Sequence, residues 1–129
     1  MSVIADLMSR ELLRASPDEP LAEAARHMVG RGVGAVLVMD GDRLEGILTE
    51  RDILKAVAVG LTEESRVRDW LTKNPETIDA SDTTEHAAAL MIHGGFRHLP
   101  VLDGEAVVGI VSIRDLMRVT LDDSAPRGV

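Results

Sequence analysis

The sequence predicts a mixed α/β (α+β) fold built from two tandem copies of one β-α-β-β-α unit. Three observations predict this class. The chain aligns with itself at a fixed shift, each copy has an apolar pattern of helical period, and each copy has an Asp-Gly pair between two apolar runs. With 129 residues, of which 45% are hydrophobic, the chain can fold without disulfide bonds. We expect the two copies to pack as one domain about a pseudo-twofold axis.

The internal repeat has a shift of 63 positions, which aligns residues 4–54 with residues 67–117 without a gap. The identical pairs are Asp6/Asp69, Ala24/Ala87, Ala25/Ala88, Met28/Met91, Gly32/Gly95, Val38/Val101, Asp40/Asp103, Gly41/Gly104, Gly46/Gly109, Ile47/Ile110, Arg51/Arg114 and Asp52/Asp115. Because glycines and apolar residues coincide as well, each copy is expected to form the same structure. The predicted boundaries are repeat 1 at 1–60, a connector at 61–66, repeat 2 at 67–121 and a flexible tail at 122–129.

Each copy is predicted to open with a short extended segment, at 13–15 and 77–79, followed by an amphipathic helix. Apolar and small residues recur at helical spacing from Leu21 in one copy and from Thr84 in the other. Pro20 suits the first helical position, and Asp82 with a glutamate three residues later resembles a capping box. Glycines near 30–32 and 94–95 should end the two helices.

A β-hairpin and a second helix should complete each copy. Apolar runs flank the Asp-Gly pairs that begin at Asp40 and Asp103, which is a strong hairpin signal. The closing helices are predicted at 50–59 and 113–121. We also predict an exposed apolar patch for association. It combines residues near the start of the chain, at the start of the second copy and on the last helix. They are Leu7, Met8, Trp70, Leu71, Leu116 and Met117.

Composition excludes several classes of function. The formal net charge of −8 argues against nucleic-acid binding, because that requires a cationic surface. The absence of cysteine removes disulfides, thiol catalysis and zinc–thiolate sites. No apolar run is long enough to span a membrane, and the acidic residues near the N-terminus do not suit a signal peptide. We therefore expect a cytoplasmic protein without membrane insertion.

Two matching motifs carry the candidate chemistry, where a predicted strand meets the closing helix. Thr49 and Ser112 are placed as helix N-caps, and Asp52 and Asp115 follow three residues later. A carboxylate at that position can accept two hydrogen bonds from a ribose diol, and a helix N-terminus favours a nearby phosphate. The alternative is that both motifs are capping boxes with no ligand.

This repeat resembles the CBS domain pair, or Bateman module. The resemblance rests on the doubled order of elements, on Gly46-Ile47-Leu48-Thr49-Glu50-Arg51-Asp52 and Gly109-Ile110-Val111-Ser112-Ile113-Arg114-Asp115, and on Phe96-Arg97-His98-Leu99-Pro100-Val101. It covers about 3–117 and leaves no room for an effector domain. It implies a stand-alone regulatory module, not an enzyme, that binds AMP, ADP, ATP, S-adenosylmethionine or NADH in clefts between the repeats. Magnesium would accompany ATP, and no catalytic cofactor is expected.

The resemblance also implies a set of ligand-binding residues. In the family, basic residues at the position of Arg97 and His98 reach the phosphates, whereas the first copy has Gly34 and Ala35 there. We expect a crossed arrangement in two unequal clefts. One cleft would combine Thr49 and Asp52 with Thr77, Ile78, Asp79, Arg97, His98 and Pro100, and the other would combine Ser112 and Asp115 with Ala15, Ser16, Gly34 and Ala35.

Several alternatives remain open from the sequence. Arg97 and His98 could be ordinary rim residues, and Arg51 and Arg114 could lie on solvated helix faces. The four histidines do not form a convincing metal set, so no metal site is predicted. The resemblance implies a homodimer and an unidentified effector protein. The competing function is a structural homodimerisation scaffold with degenerate clefts.

Overall fold

The computed structural model describes the backbone of residues 2–124 and the side chains of residues 2–119. Within that range the chain has a short 3-10 helix, five α-helices and seven strands. In chain order they are the 3-10 helix Ile4–Asp6, β1 Arg14–Ala15, α1 Leu21–Arg31, β2 Ala35–Asp40, β3 Arg43–Thr49, α2 Glu50–Val59, α3 Val67–Trp70, β4 Thr72–Lys73, β5 Ile78–Asp79, α4 Thr84–Gly94, β6 His98–Asp103, β7 Ala106–Ser112 and α5 Ile113–Ser124. The predicted mixed α+β class is confirmed.

The described chain divides into two compact units, and one of them is Leu12–Pro75. Its sheet has the order β1-β2-β3-β4, in which β1 is parallel to β2 and the remaining pairs are antiparallel. The β2–β3 hairpin turns through Gly41, whose φ of 61° lies in the left-handed region that glycine favours. The core of this unit is Ala15, Leu21, Ala24, Met28, Val36, Val38, Leu48, Ala56 and Val67.

The other unit comprises residues 2–11 and 76–124 of the described chain. Its sheet has the order β5-β6-β7, with β5 parallel to β6 and β6 antiparallel to β7. A second Asp-Gly turn, with Gly104 at φ 63°, joins β6 to β7. Its core is Ile4, Met8, Ile78, Ala87, Met91, Leu99, Val101, Val111 and Leu116.

The compact units do not coincide with the sequence repeats, because two short segments pack with the neighbouring copy. The segment 2–11 belongs to the unit of the second repeat, where the Ile4 amide donates to the Asp82 carbonyl at 2.9 Å. In the same way, α3 and β4 belong to the unit of the first repeat. Since α3 and β4 are short and lack a helical or alternating period, the sequence did not predict them.

Four local predictions need correction. Pro20 is the N-cap of α1 and not its first residue. The N-cap of α4 is Thr83, whose hydroxyl accepts from the His86 amide, so Asp82 is not the cap. Met8 and Leu116, assigned to an exposed patch, are only 8% exposed because both belong to the core of one unit. Helix α5 runs to Ser124, into the predicted tail 122–129, and the remaining residues 125–129 lie outside the described residues.

Candidate functional site

The first Thr-x-x-Asp motif forms a capping box between β3 and α2. The Asp52 amide donates to Thr49 Oγ1 at 3.4 Å, and the Thr49 amide donates to Asp52 Oδ2 at 2.9 Å. Thr49 Oγ1 also lies 3.1 Å from the same carboxylate oxygen, to which it donates. Asp52 is buried, with 6% of its surface exposed. The motif therefore closes the first turn of α2, as the capping alternative requires.

A third residue, Thr72 on β4, also holds the Asp52 carboxylate. The Thr72 hydroxyl lies 3.1 Å from Asp52 Oδ1 and 3.3 Å from Oδ2. Both oxygens of this carboxylate are thus engaged by the protein itself. The sequence prediction missed Thr72, although a hydroxyl recurs at the matching repeat position, Ser9.

The Ser112-x-x-Asp115 motif forms the same reciprocal pair between β7 and α5. The Ser112 amide donates to Asp115 Oδ2 at 2.8 Å, and the Asp115 amide donates to Ser112 Oγ at 3.2 Å. The other oxygen, Oδ1, lies 4.0 Å from Arg118 Nη1. The Asp115 side chain is 19% exposed. This carboxylate can therefore cap its helix and still accept a hydrogen bond.

Arg97 and His98 lie beside the second motif. His98 is the register partner of Ser112, and the Ile113 amide donates to the Arg97 carbonyl at 2.8 Å. Arg97 is exposed and His98 is half-buried. Within this unit the fold thus brings Arg97, an exposed residue, next to the first residue of α5.

The matching positions of the other unit carry no charge. Ala35 is the register partner of Thr49, and the Glu50 amide donates to the Gly34 carbonyl at 3.1 Å. The residues beside the two motifs therefore differ in charge, and the predicted inequality of the two clefts stays a prediction. The crossed arrangement joins residues of different units, and it stays a prediction.

Four further predicted residues lie on or next to the β5–β6 pair. Ile78 and Pro100 are buried, Thr77 is half-buried and Asp79 is exposed. Asp79 Oδ1 accepts from the Ser81 hydroxyl at 2.6 Å and from the Ser81 amide at 2.8 Å. These two bonds lower the pKa of Asp79, the side-chain bond more than the backbone bond. This carboxylate stabilises a local turn and stays ionised at neutral pH.

The remaining predicted residues offer little polar chemistry. Ala15 is buried on β1, while Ser16 is exposed and donates its amide to Glu19 Oε2 at 3.3 Å. Arg51 and Arg114 are both exposed, in agreement with the solvated alternative.

One group of potential metal ligands escaped the prediction, which had considered histidines only. Glu19, Glu23 and His27 place one ligand atom each within 4.8 Å of one another, and His27 Nδ1 lies 3.5 Å from Glu19 Oε1. The spacing of four residues, which stacks side chains along a helix face, is the signal that could have found them. Glu23 and His27 are exposed, and Glu19 is already engaged by the Ser16 amide. The contact between Glu19 and His27 accounts for this proximity without a metal ion.

Comparison of the sequence with models of known protein families shows which family this chain belongs to. The family model of the CBS domain matches twice, at residues 4–59 and 67–122. The chain belongs to the CBS domain family. It contains two CBS domains, and each Thr/Ser-x-x-Asp motif lies near the end of one of them.

Similar proteins are also named for CBS domains. The CBS domain-containing protein YhcV of Bacillus subtilis is 33% identical over 117 residues, which is 90% of this chain and 84% of that protein. The structure of a protein with CBS domains from Burkholderia ambifaria has a TM-score of 0.92 and 31% identity, covering 99% of this chain and all of that one.

Two similar structures contain adenosine ligands. The CBS domain pair of protein MJ0100, in complex with methylthioadenosine and S-adenosylmethionine, has a TM-score of 0.88 and 25% identity over 96% of this chain and 99% of that one. CBSX2 in complex with AMP has a TM-score of 0.83 and 25% identity over 97% of this chain and all of that one.

Among the residues that the structure describes, no helix combines the length and the apolar character needed to span a membrane.

Proposed function

We propose that this CBS domain pair is a non-catalytic sensor of an adenosine ligand that carries a phosphate, and that it signals ligand state to a partner protein. The observation that carries the proposal is the Ser112–Asp115 box with Arg97 beside it. The complexes of two similar proteins with adenosine compounds support the adenosine part of the ligand, and the complex of CBSX2 with AMP supports the phosphate. We further propose a cytoplasmic location, where adenine nucleotides are abundant.

Each polar group in this box has a defined task in the proposal. Asp115 Oδ1 accepts a hydroxyl of the ribose, while Oδ2 continues to cap α5. The positive end of the α5 dipole and the Arg97 guanidinium attract the phosphate. AMP satisfies these groups with the fewest additional charges. ADP, ATP and NADH extend the same phosphate contacts, with magnesium accompanying ATP, whereas S-adenosylmethionine has no phosphate and tests the adenosine part separately.

Titration calorimetry with AMP tests the proposal. We expect saturable binding by the wild type and at least tenfold weaker binding by Asp115→Ala, since a hydrogen bond to a charged group is worth about 1.5–3 kcal/mol. Arg97→Ala should weaken AMP but leave adenosine nearly unchanged, because only AMP has the phosphate. Thr83→Ala, which removes a helix cap of the same unit, is the matched control and should bind normally.

Absence of heat with AMP, ADP, ATP, S-adenosylmethionine and NADH, from a protein with intact circular dichroism, would refute the sensor. Equal loss of AMP and adenosine binding in Arg97→Ala would refute the phosphate role of that residue.

A homodimerisation scaffold is the second candidate, and exposed apolar residues favour it. Leu54 on α2 is 69% exposed and Met117 on α5 is 57% exposed, at matching positions of the repeat. In sedimentation velocity, the scaffold hypothesis expects a dimer that Leu54→Glu dissociates in the absence of any nucleotide. A monomeric wild type would exclude this hypothesis.

A further inference from the structure

The carboxylates of the two motifs, Asp115 of the proposed site and Asp52 at the matching repeat position, differ in how many hydrogen bonds they already accept from the protein. Asp52 accepts from the Thr49 amide, the Thr49 hydroxyl and the Thr72 hydroxyl. A carboxylate has about four acceptor directions, and Thr72 lies within 3.3 Å of both oxygens. A ligand hydroxyl that approaches Asp52 must therefore compete with the hydroxyl of Thr72.

The other unit provides an internal comparison. Ser9 occupies the repeat position of Thr72, and its backbone pairs with Ile110 on β7 as Thr72 pairs with Ile47 on β3. Its hydroxyl makes no hydrogen bond to Asp115 among the described side chains, where Asp115 Oδ2 is engaged by the Ser112 amide alone. The backbones of Ser9 and Thr72 are thus placed alike, but among the described side chains the Thr72 hydroxyl donates to the motif carboxylate of its unit and the Ser9 hydroxyl does not.

We propose that Thr72 is a specificity-determining residue that occupies Asp52 in place of a ligand hydroxyl, so that an adenosine ligand enters the Ser112–Asp115 box first. The inference rests on the proposed function, because it assumes that these carboxylates bind ribose. It adds the Thr72 hydroxyl to the missing counterpart of Arg97 as a second reason for weaker binding at Asp52.

Removal of that hydroxyl should cause little structural damage. Thr72 is exposed on the edge strand β4, where it pairs through its backbone. Valine keeps the β-branched shape and the strand preference of threonine but cannot donate to Asp52. Thr72→Ser keeps the donor and serves as the conservative variant, and Ser9→Ala is the matched control in the other unit.

The test measures AMP binding by calorimetry in an Asp115→Ala background, where only the Asp52 site remains. We expect Thr72→Val to strengthen binding about fivefold to tenfold, Thr72→Ser to resemble the parent and Ser9→Ala to have no effect. Thr72→Ala, which also lacks the hydroxyl, gives the same test if the valine variant fails to fold.

The outcomes separate the two hypotheses. If the wild type binds AMP but Thr72→Val and Thr72→Ala leave the Asp52 site unchanged or weaker, the role of Thr72 is refuted and the sensor stands. If the wild type, with Asp115 intact, does not bind AMP but the Thr72→Val variant does, the role of Thr72 stands and the assignment to Asp115 is refuted. If no variant binds AMP, both are refuted.

Discussion

At the residue scale, close packing explains why glycine recurs at the matching repeat positions Gly46 and Gly109. A Cβ atom built on Gly46 would lie 2.4 Å from the backbone oxygen of Thr72. A Cβ atom on Gly109 would lie 2.5 Å from Met8 Sδ and 3.0 Å from the Ser9 oxygen. Each glycine therefore lets a segment from the neighbouring copy lie directly against a strand. This close approach also brings the Thr72 hydroxyl to Asp52.

Substitution of these glycines should destabilise the protein unequally. Gly46→Ala forces a methyl group against a backbone carbonyl, and we expect a loss of about 3 kcal/mol in the free energy of unfolding. Gly109→Ala mainly meets the flexible Met8 side chain, so about 1–2 kcal/mol should be lost. Urea denaturation measures both values. A smaller effect at Gly46 than at Gly109 would contradict the close approach of β4 to β3.

At the element scale, the start of α4 shows how a structural pKa shift arises. Asp82 Oδ2 lies 2.6 Å from His86 Nδ1, and Asp82 Oδ1 accepts from the Thr83 amide at 2.7 Å. The bond to His86 and then the bond to the Thr83 amide lower the pKa of Asp82 below 3.8. The ionised carboxylate thus ties the residue before the cap to the first turn of the helix.

The stability supplied by Asp82 should depend on pH in a defined direction. Because its pKa is lower in the folded state, the contribution is present above about pH 4 and disappears as the pH falls through the folded-state pKa. Asp82→Asn should therefore melt a few degrees below the wild type at pH 6, and this difference in Tm should narrow as the pH falls below about 4. Thr83→Ala, which removes a cap without a titratable group, should keep a constant gap. A gap for Asp82→Asn that does not narrow in acid would refute this assignment.

At the scale of the whole chain, each compact unit contains one short segment from the other sequence repeat. Ile4 has no exposed surface and lies in the core formed mainly by the second repeat. Val67, at the matching repeat position, is equally buried in the core formed mainly by the first. Each core is therefore completed by a residue that the sequence repeat assigns to the other copy.

Truncation of Ile4 should accordingly have a large effect despite its place near the chain start. Ile4→Ala should lower the free energy of unfolding by about 3 kcal/mol through lost burial and the cavity left behind. Glu11→Ala, an exposed change in the same segment, should stay within about 0.5 kcal/mol of the wild type. Urea denaturation compares the two. A loss below about 1 kcal/mol for Ile4→Ala would show that the segment is dispensable for this core.

The sequence by itself determined the repeat, both hairpins, the long helices and the Thr/Ser-x-x-Asp boxes. These features depend on contacts between near neighbours, so spacing, turn residues and caps reveal them. Only the tertiary structure decided that β4 and the segment 2–11 pack with the opposite repeat, that Thr72 reaches Asp52, and that Arg97 lies beside Ser112. Those contacts join residues that are far apart in the chain. Packing and strand register decide which donor reaches a given carboxylate, and no local sequence pattern encodes either of them.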